Sequence, residues 1–182
     1  MTDRSAPEVS IRYGTSADNT LLANLGRETF YETFAADNTP GNMAAYLAES
    51  FGPEKQARKL ADPATRFLIA EAEGLAIGYA CLTSGQAPPT IVSHRPMEIV
   101  RFYVRNAWTG KSVGARLMQA CLREAEIAAS SVVWLDVWER NLRAIAFYRQ
   151  WGFAEVGTQP FQLGDDIQRD LLMARPLITR QP

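Results

Sequence analysis

Residues 108–119 read WTGKSVGARLMQ, and what stands before and after this stretch decides how the chain folds. Gly110-Lys111-Ser112 are the closing letters of a P-loop. A P-loop also needs a glycine five positions before Gly110, where the chain must fold its N–H groups around a β-phosphate. That position holds Arg105, and no convincing magnesium-binding acidic strand follows, so the triphosphatase reading fails. The chemistry of the stretch survives. Residues 97–104 (MEIVRFYV) alternate as a strand, with Glu98, Val100, Phe102 and Val104 on one face and Ile99, Arg101 and Tyr103 on the other. A Gly-containing turn then leads into a helix from about Ser112 to Ala128, whose Val113, Leu117, Cys121 and Ala125 recur at helical spacing. Unpaired N–H groups and the helix dipole at such a start form an anion site, to which Lys111 adds a point charge. A strand-to-helix connection whose glycines merely permit the turn is the alternative. This stretch alone leaves both open.

The rest of the sequence bounds the answer. The chain has 182 residues, 47% apolar and 21% charged, as expected for one globular domain over 1–182. A net charge of −1 gives no general attraction to nucleic acid or anionic lipid. MTDRSAPEVS has no apolar leader segment and no later run is long enough to span a bilayer. Cys81 and Cys121 are too few and too far apart for a zinc site or a disulfide framework. Together these point to a cytoplasmic protein without a metal.

Apolar periodicity predicts a strand over 9–13, helices over 18–34, 43–51 and 54–61, and a hairpin of strands 67–71 and 78–82. DNTPGN (37–42) is predicted to interrupt the first two helices. After the central strand and helix come a strand over 132–137, a helix over 141–151 stopped by Gly152, and strands over 153–156 and 170–174. This order is an α/β (α+β) sheet with helices on both faces.

NLRAIAFYRQWGF (141–153) resolves the ambiguity of the opening stretch. Its Asn141, Ala144, Phe147, Tyr148, Gly152 and Phe153 resemble the C-terminal signature of the GNAT acetyltransferases, which use acetyl-CoA. Residues 109–114 (TGKSVG) then resemble that superfamily's pyrophosphate loop, with Thr109 in place of Gln or Arg and Ser112 in place of its first glycine. The loop works through backbone N–H groups, so a small Ser fits position 112 if its φ is negative. Lys111 or Arg116 can offset the cation missing at Thr109. Within the superfamily the chain is most similar to bacterial spermidine/spermine N-acetyltransferases of the Pai type, through ETFYETFAADNTPGNMAAYL (28–47), LDVWERN (135–141) and GDDIQRDLLMARPL (164–177). TQPF (158–161) departs from that group, which tends to carry His before Phe.

The resemblance implies a GNAT fold, with a mixed, mostly antiparallel sheet and a splayed strand pair. It implies that backbone groups of Phe102, Tyr103 and Val104 receive the acetyl and pantetheine groups, and that Thr109, Gly110, Lys111, Ser112, Val113, Gly114 and Ala115 cradle the pyrophosphate. Asn141 would bind the pantetheine arm, cap its helix, or do both. Tyr148 would protonate the departing thiolate. A base is needed to free the amine. Glu98 stands six residues before Val104, where histone-type members carry a basic Glu; the lone His94 reads as a solvated loop residue. A polycationic acceptor calls for carboxylates and aromatic faces, with Glu28, Tyr31, Glu32, Asp136 and Glu139 as candidates. The expected partner is therefore a small-molecule amine, with polyamines first. Acetylation of a protein or an aminoglycoside, and a non-catalytic CoA-binding regulatory module, are the alternatives. The sequence leaves the oligomeric state open, a homodimer included.

Overall fold

The computed structural model describes residues 8–177. Seven strands form one sheet in the order β1-β2-β3-β4-β5-β7-β6. They are β1 (Val9–Tyr13), β2 (Thr65–Ala72), β3 (Leu75–Ser84), β4 (Pro96–Val104), β5 (Val132–Trp138), β6 (Ala154–Leu163) and β7 (Asp166–Pro176). All neighbours are antiparallel except β4 and β5, which are parallel and pair only through Pro96–Glu98 and Val132–Trp134. Beyond that short contact the two strands splay.

Helices α1 (Asn19–Phe34), α2 (Pro40–Ser50) and α3 (Pro53–Ala61) cover one face. There Leu22 and Leu25 of α1 bury against Phe67, Ile69, Tyr79 and Cys81, and Phe30 packs with Met43, Leu47 and Phe51. Helices α4 (Val113–Ile127) and α5 (Leu142–Gln150) cover the other. Leu117, Met118 and Cys121 of α4 and Ile145 of α5 meet Leu82, Ile99, Val133, Leu135 and Met173 in the largest core cluster. Among the described residues no helix is long and apolar enough to cross a membrane.

Three expectations change. The strict alternation predicted along β4 breaks at Val100. Cys81 pairs with Arg101 and Leu82 with Ile99, so Val100 is the extra residue of a bulge. Ile99 and Phe102 consequently both pack toward α4, while Val100 and Tyr103 pack toward α1. Helix α2 begins at Pro40, three residues earlier than predicted, because proline suits the first helical position and the Thr39 hydroxyl accepts the Asn42 N–H at 3.3 Å. The last two strands form a hairpin much longer than predicted. Strand β6 is the sheet edge, so its polar residues stay solvated and Pro160 is tolerated, which disguises it in sequence.

Candidate active site

The splay of β4 and β5 creates the site. Past Glu98 and Trp134, one edge of β4 carries backbone N–H and C=O groups with no strand to meet. The gap opens into a cavity of about 480 Å³ lined from both sheet faces.

On the α4 side, β4 runs into a short 3-10 turn (Asn106–Trp108) and then the glycine loop. Thr109, Gly110, Ser112, Gly114 and Ala115 line the cavity. The first bond of α4 runs from the Arg116 N–H to the Ser112 C=O at 3.1 Å, so the N–H groups of Val113, Gly114 and Ala115 precede it and remain available. Gly110 has φ +78 and Ser112 has φ +61. Ser112 thus adopts the left-handed conformation, so the condition under which a serine fits this position, a negative φ, is not met. The loop keeps the shape that a glycine would take freely, and the side chain is strained by about 1 kcal/mol. Ser112→Gly is expected to raise the melting temperature by up to about 3 °C, and Ser112→Val to lower it. Equal melting temperatures for all three proteins would refute the strain.

The offsetting cations are placed differently from expectation. Lys111 Nζ lies 4.9 Å from the Trp108 ring centroid and outside the cavity wall, and Arg116 donates to the Val9 carbonyl at 2.9 Å. Arg143, on α5, lines the cavity instead. Val113 turns its side chain into the core with Ala70, Ala72 and Ile77. Asn141 caps α5, its Oδ1 accepting the Ala144 N–H at 3.2 Å, while the residue still lines the cavity.

Tyr148 lines the cavity and packs edge-on against Phe102 at 6.1 Å. Burial, with smaller contributions from Tyr103, Cys121 and Asp136, pushes its phenol well above the ordinary value. It therefore holds its proton at neutral pH. Cys81 and Cys121 are both buried free thiols away from the cavity wall, and burial raises both.

On the α1 side the cavity gathers three carboxylates from adjacent strands: Glu98 of β4, Asp136 of β5 and Asp170 of β7. Burial raises Glu98 to about 7, reinforced by the charge of Asp136 and partly offset by Lys59. Burial also raises Asp170 to about 7, reinforced by the charge of Asp136, a hydrogen bond to it, and the charge of Glu139. Asp136 accepts from Gln159 Nε2 at 3.0 Å. Phe34, Trp138 and Phe161 supply aromatic walls. Arg101 enters the same cavity with its guanidinium 4.5 Å from the Phe51 centroid and 5.7 Å from that of Tyr46.

Four of the expected acceptor residues stand elsewhere. Glu28 pairs with Arg105, and the Glu32 carboxylate accepts the Asn106 N–H at 2.8 Å, so both anchor α1 to the loop after β4. Tyr31 is exposed, and Glu139 faces Arg169 at 3.5 Å. None of the four lines the cavity, and His94 is an exposed loop residue away from it. The sequence reading missed Arg101, Arg143 and Asp170. Only Asp170 left a signal: it shares a strand face with Leu172 and Ala174, an unusual place for an acid.

The model of the acetyltransferase (GNAT) family matches residues 27–153. An N-acetyltransferase of Lactobacillus delbrueckii subsp. lactis, encoded in the pepI 3′ region, is 32% identical over 154 residues, which span 85% of this chain and 89% of that protein. The PaiA N-acetyltransferase of Thermoplasma acidophilum, solved with coenzyme A, superposes with a TM-score of 0.75 at 21% identity, covering 93% of this chain and 99% of that one. YncA of Salmonella typhimurium, solved with acetyl-CoA, gives a TM-score of 0.67 at 21% identity, covering 96% and 97%. The family match spans the splayed strands, the glycine loop and Tyr148 alike, and the chain belongs to the GNAT family of acetyltransferases, enzymes that use acetyl-CoA.

Proposed function

We propose that the protein acetylates a primary amine of a small molecule, a polyamine being the acceptor best suited to its cavity, and that the amine attacks the donor directly while both are bound. The observation that carries this reading is the convergence of Glu98, Asp136 and Asp170 on one wall of the cavity. Three carboxylates among aromatic faces attract an ammonium ion and repel an anion.

The residues on the α4 side fit the donor. The free N–H groups of Val113, Gly114 and Ala115 would receive anionic phosphates, Arg143 would add a charge, and the unpaired edge of Phe102–Val104 suits the amides of an extended arm. The Asn141 amide keeps its Nδ2 for the same arm while Oδ1 caps α5. Acetyl-CoA supplies an acyl carbon activated as a thioester.

Glu98 takes the proton from the bound ammonium. Its value near 7 makes it competent to do so at neutral pH, where an ordinary carboxylate would be too weak a base. Tyr148 gives its proton to the departing thiolate sulfur. Neither cysteine reaches the cavity, which supports direct attack over an acyl-enzyme.

A panel of spermidine, an aminoglycoside and a peptide bearing a free amino terminus, each incubated with acetyl-CoA and analysed by mass spectrometry, tests the reading. Acetylated spermidine is the expected product. Acetylation of the peptide or aminoglycoside with spermidine inert would sink the polyamine assignment, and no acetylated amine of any kind would sink the whole proposal.

A further inference from the structure

Asp170 is 5% exposed and lines the cavity, yet its Oδ1 has no hydrogen-bond partner. An ionised carboxylate left this way carries the full cost of desolvation without compensation. The groups around it explain neither its retention nor its charge balance. Asp136, on the neighbouring strand, hydrogen-bonds it, and Glu139 adds negative charge from the end of the same strand, although Arg169 pairs with that Glu. Glu98 faces Asp136 from β4. From β6 comes Gln159, already donating to Asp136. The residues of α1 that reach the cavity, Phe30, Thr33 and Phe34, bring no cation.

Among the described residues, the cation in the cavity nearest in sequence to Glu98 is Arg101, and it makes no ion pair within 4.0 Å. Its guanidinium stacks on Phe51 and Tyr46, toward α2. The cavity is thus polarised, positive toward α2 and negative toward β7. An amine held at Glu98 with a second ammonium group would be repelled from Arg101 and drawn along β5 toward Asp136 and Asp170.

We propose that Asp136 and Asp170 form the subsite for a second ammonium group of the acceptor, the unpaired Asp170 oxygen receiving its N–H. The acceptor class is then a short aliphatic diamine or a longer polyamine carrying such a unit. Burial and the charge of Asp136 raise Asp170 to about 7, and an ammonium ion seated beside it favours release of its proton. This inference rests on the amine-acetylation reading of the same cavity and adds the residues that select the substrate.

Putrescine and n-butylamine differ only in the second amine, which makes them the probes. With the full chain and acetyl-CoA, kcat/KM for putrescine is expected to exceed that for n-butylamine by at least about tenfold. Asp170→Asn should bring this ratio close to one. Proton release is measured on the wild-type protein, so it stands even if that variant fails to fold. Calorimetric titration of the coenzyme A complex in buffers of different ionisation enthalpy should show protons released near neutral pH on binding putrescine, in excess of those released by n-butylamine. Equal kcat/KM for the two amines, retention of the ratio in a folded Asp170→Asn protein, or equal proton release would overturn the subsite while leaving amine acetylation standing. If neither of these amines nor spermidine is acetylated, both readings fall.

Discussion

Glu98→Gln is expected to lower kcat/KM for the acceptor amine by about 10²–10⁴-fold, the usual contribution of a positioned general base. Glutamine keeps the shape and burial of the side chain on β4 but cannot take a proton. The pH profile separates this role from mere packing. In the wild-type protein kcat/KM should rise as pH increases through about 7, because that is where burial and Asp136 set the ionisation of Glu98. The variant should lose that limb. Stability must move oppositely. Glu98 and Asp170 both have raised values, so the folded protein holds protons that the unfolded chain has released. The stability they contribute is present below the ordinary carboxylate range and is lost as pH rises through about 7. Thermal unfolding of the ligand-free protein from about pH 5 to about pH 8 should therefore show a declining melting temperature, with a shallower decline in Glu98→Gln. A variant with wild-type activity and an unchanged profile would remove Glu98 from the base role.

Tyr148→Phe is expected to slow kcat by about 10²-fold or more while leaving acetyl-CoA affinity within about twofold. Among the described residues lining the α4 side of the cavity, Tyr148 carries the phenol, and burial raises it well above its ordinary value. Phenylalanine preserves the ring contacts with Phe102, Phe147 and Phe153, so the cofactor wall should not collapse. Steady-state turnover paired with a direct acetyl-CoA binding titration checks this. Weakened binding with unchanged kcat would make Tyr148 a wall residue only.

Much of the α4 side of the cavity was legible in sequence because its information is local. The turn at Gly110, the start of α4, the Asn141 cap and the stop at Gly152 each lie within a few residues of what they control. Ser112 shows the limit: the sequence left its φ open, and the turn sets it at +61. The α1 side of the cavity was poorly legible because four strands and two helices build it. The bulge at Val100 depends on pairing with β3, and nothing in EIVRFYV announces it. Glu28 and Glu32 looked like acceptor carboxylates on a helix face, but the loop after β4 passes close enough to claim both. Asp170 meets Asp136 only because β7 inserts between β5 and β6, an order that the chain sequence does not suggest.

The central claim is that an amine and acetyl-CoA react directly in one cavity, and initial rates of thiol release test it most directly. With acetyl-CoA and spermidine varied against each other, double-reciprocal plots should intersect, and thiol release should depend on the amine. Parallel lines, or release that spermidine does not accelerate, would contradict it.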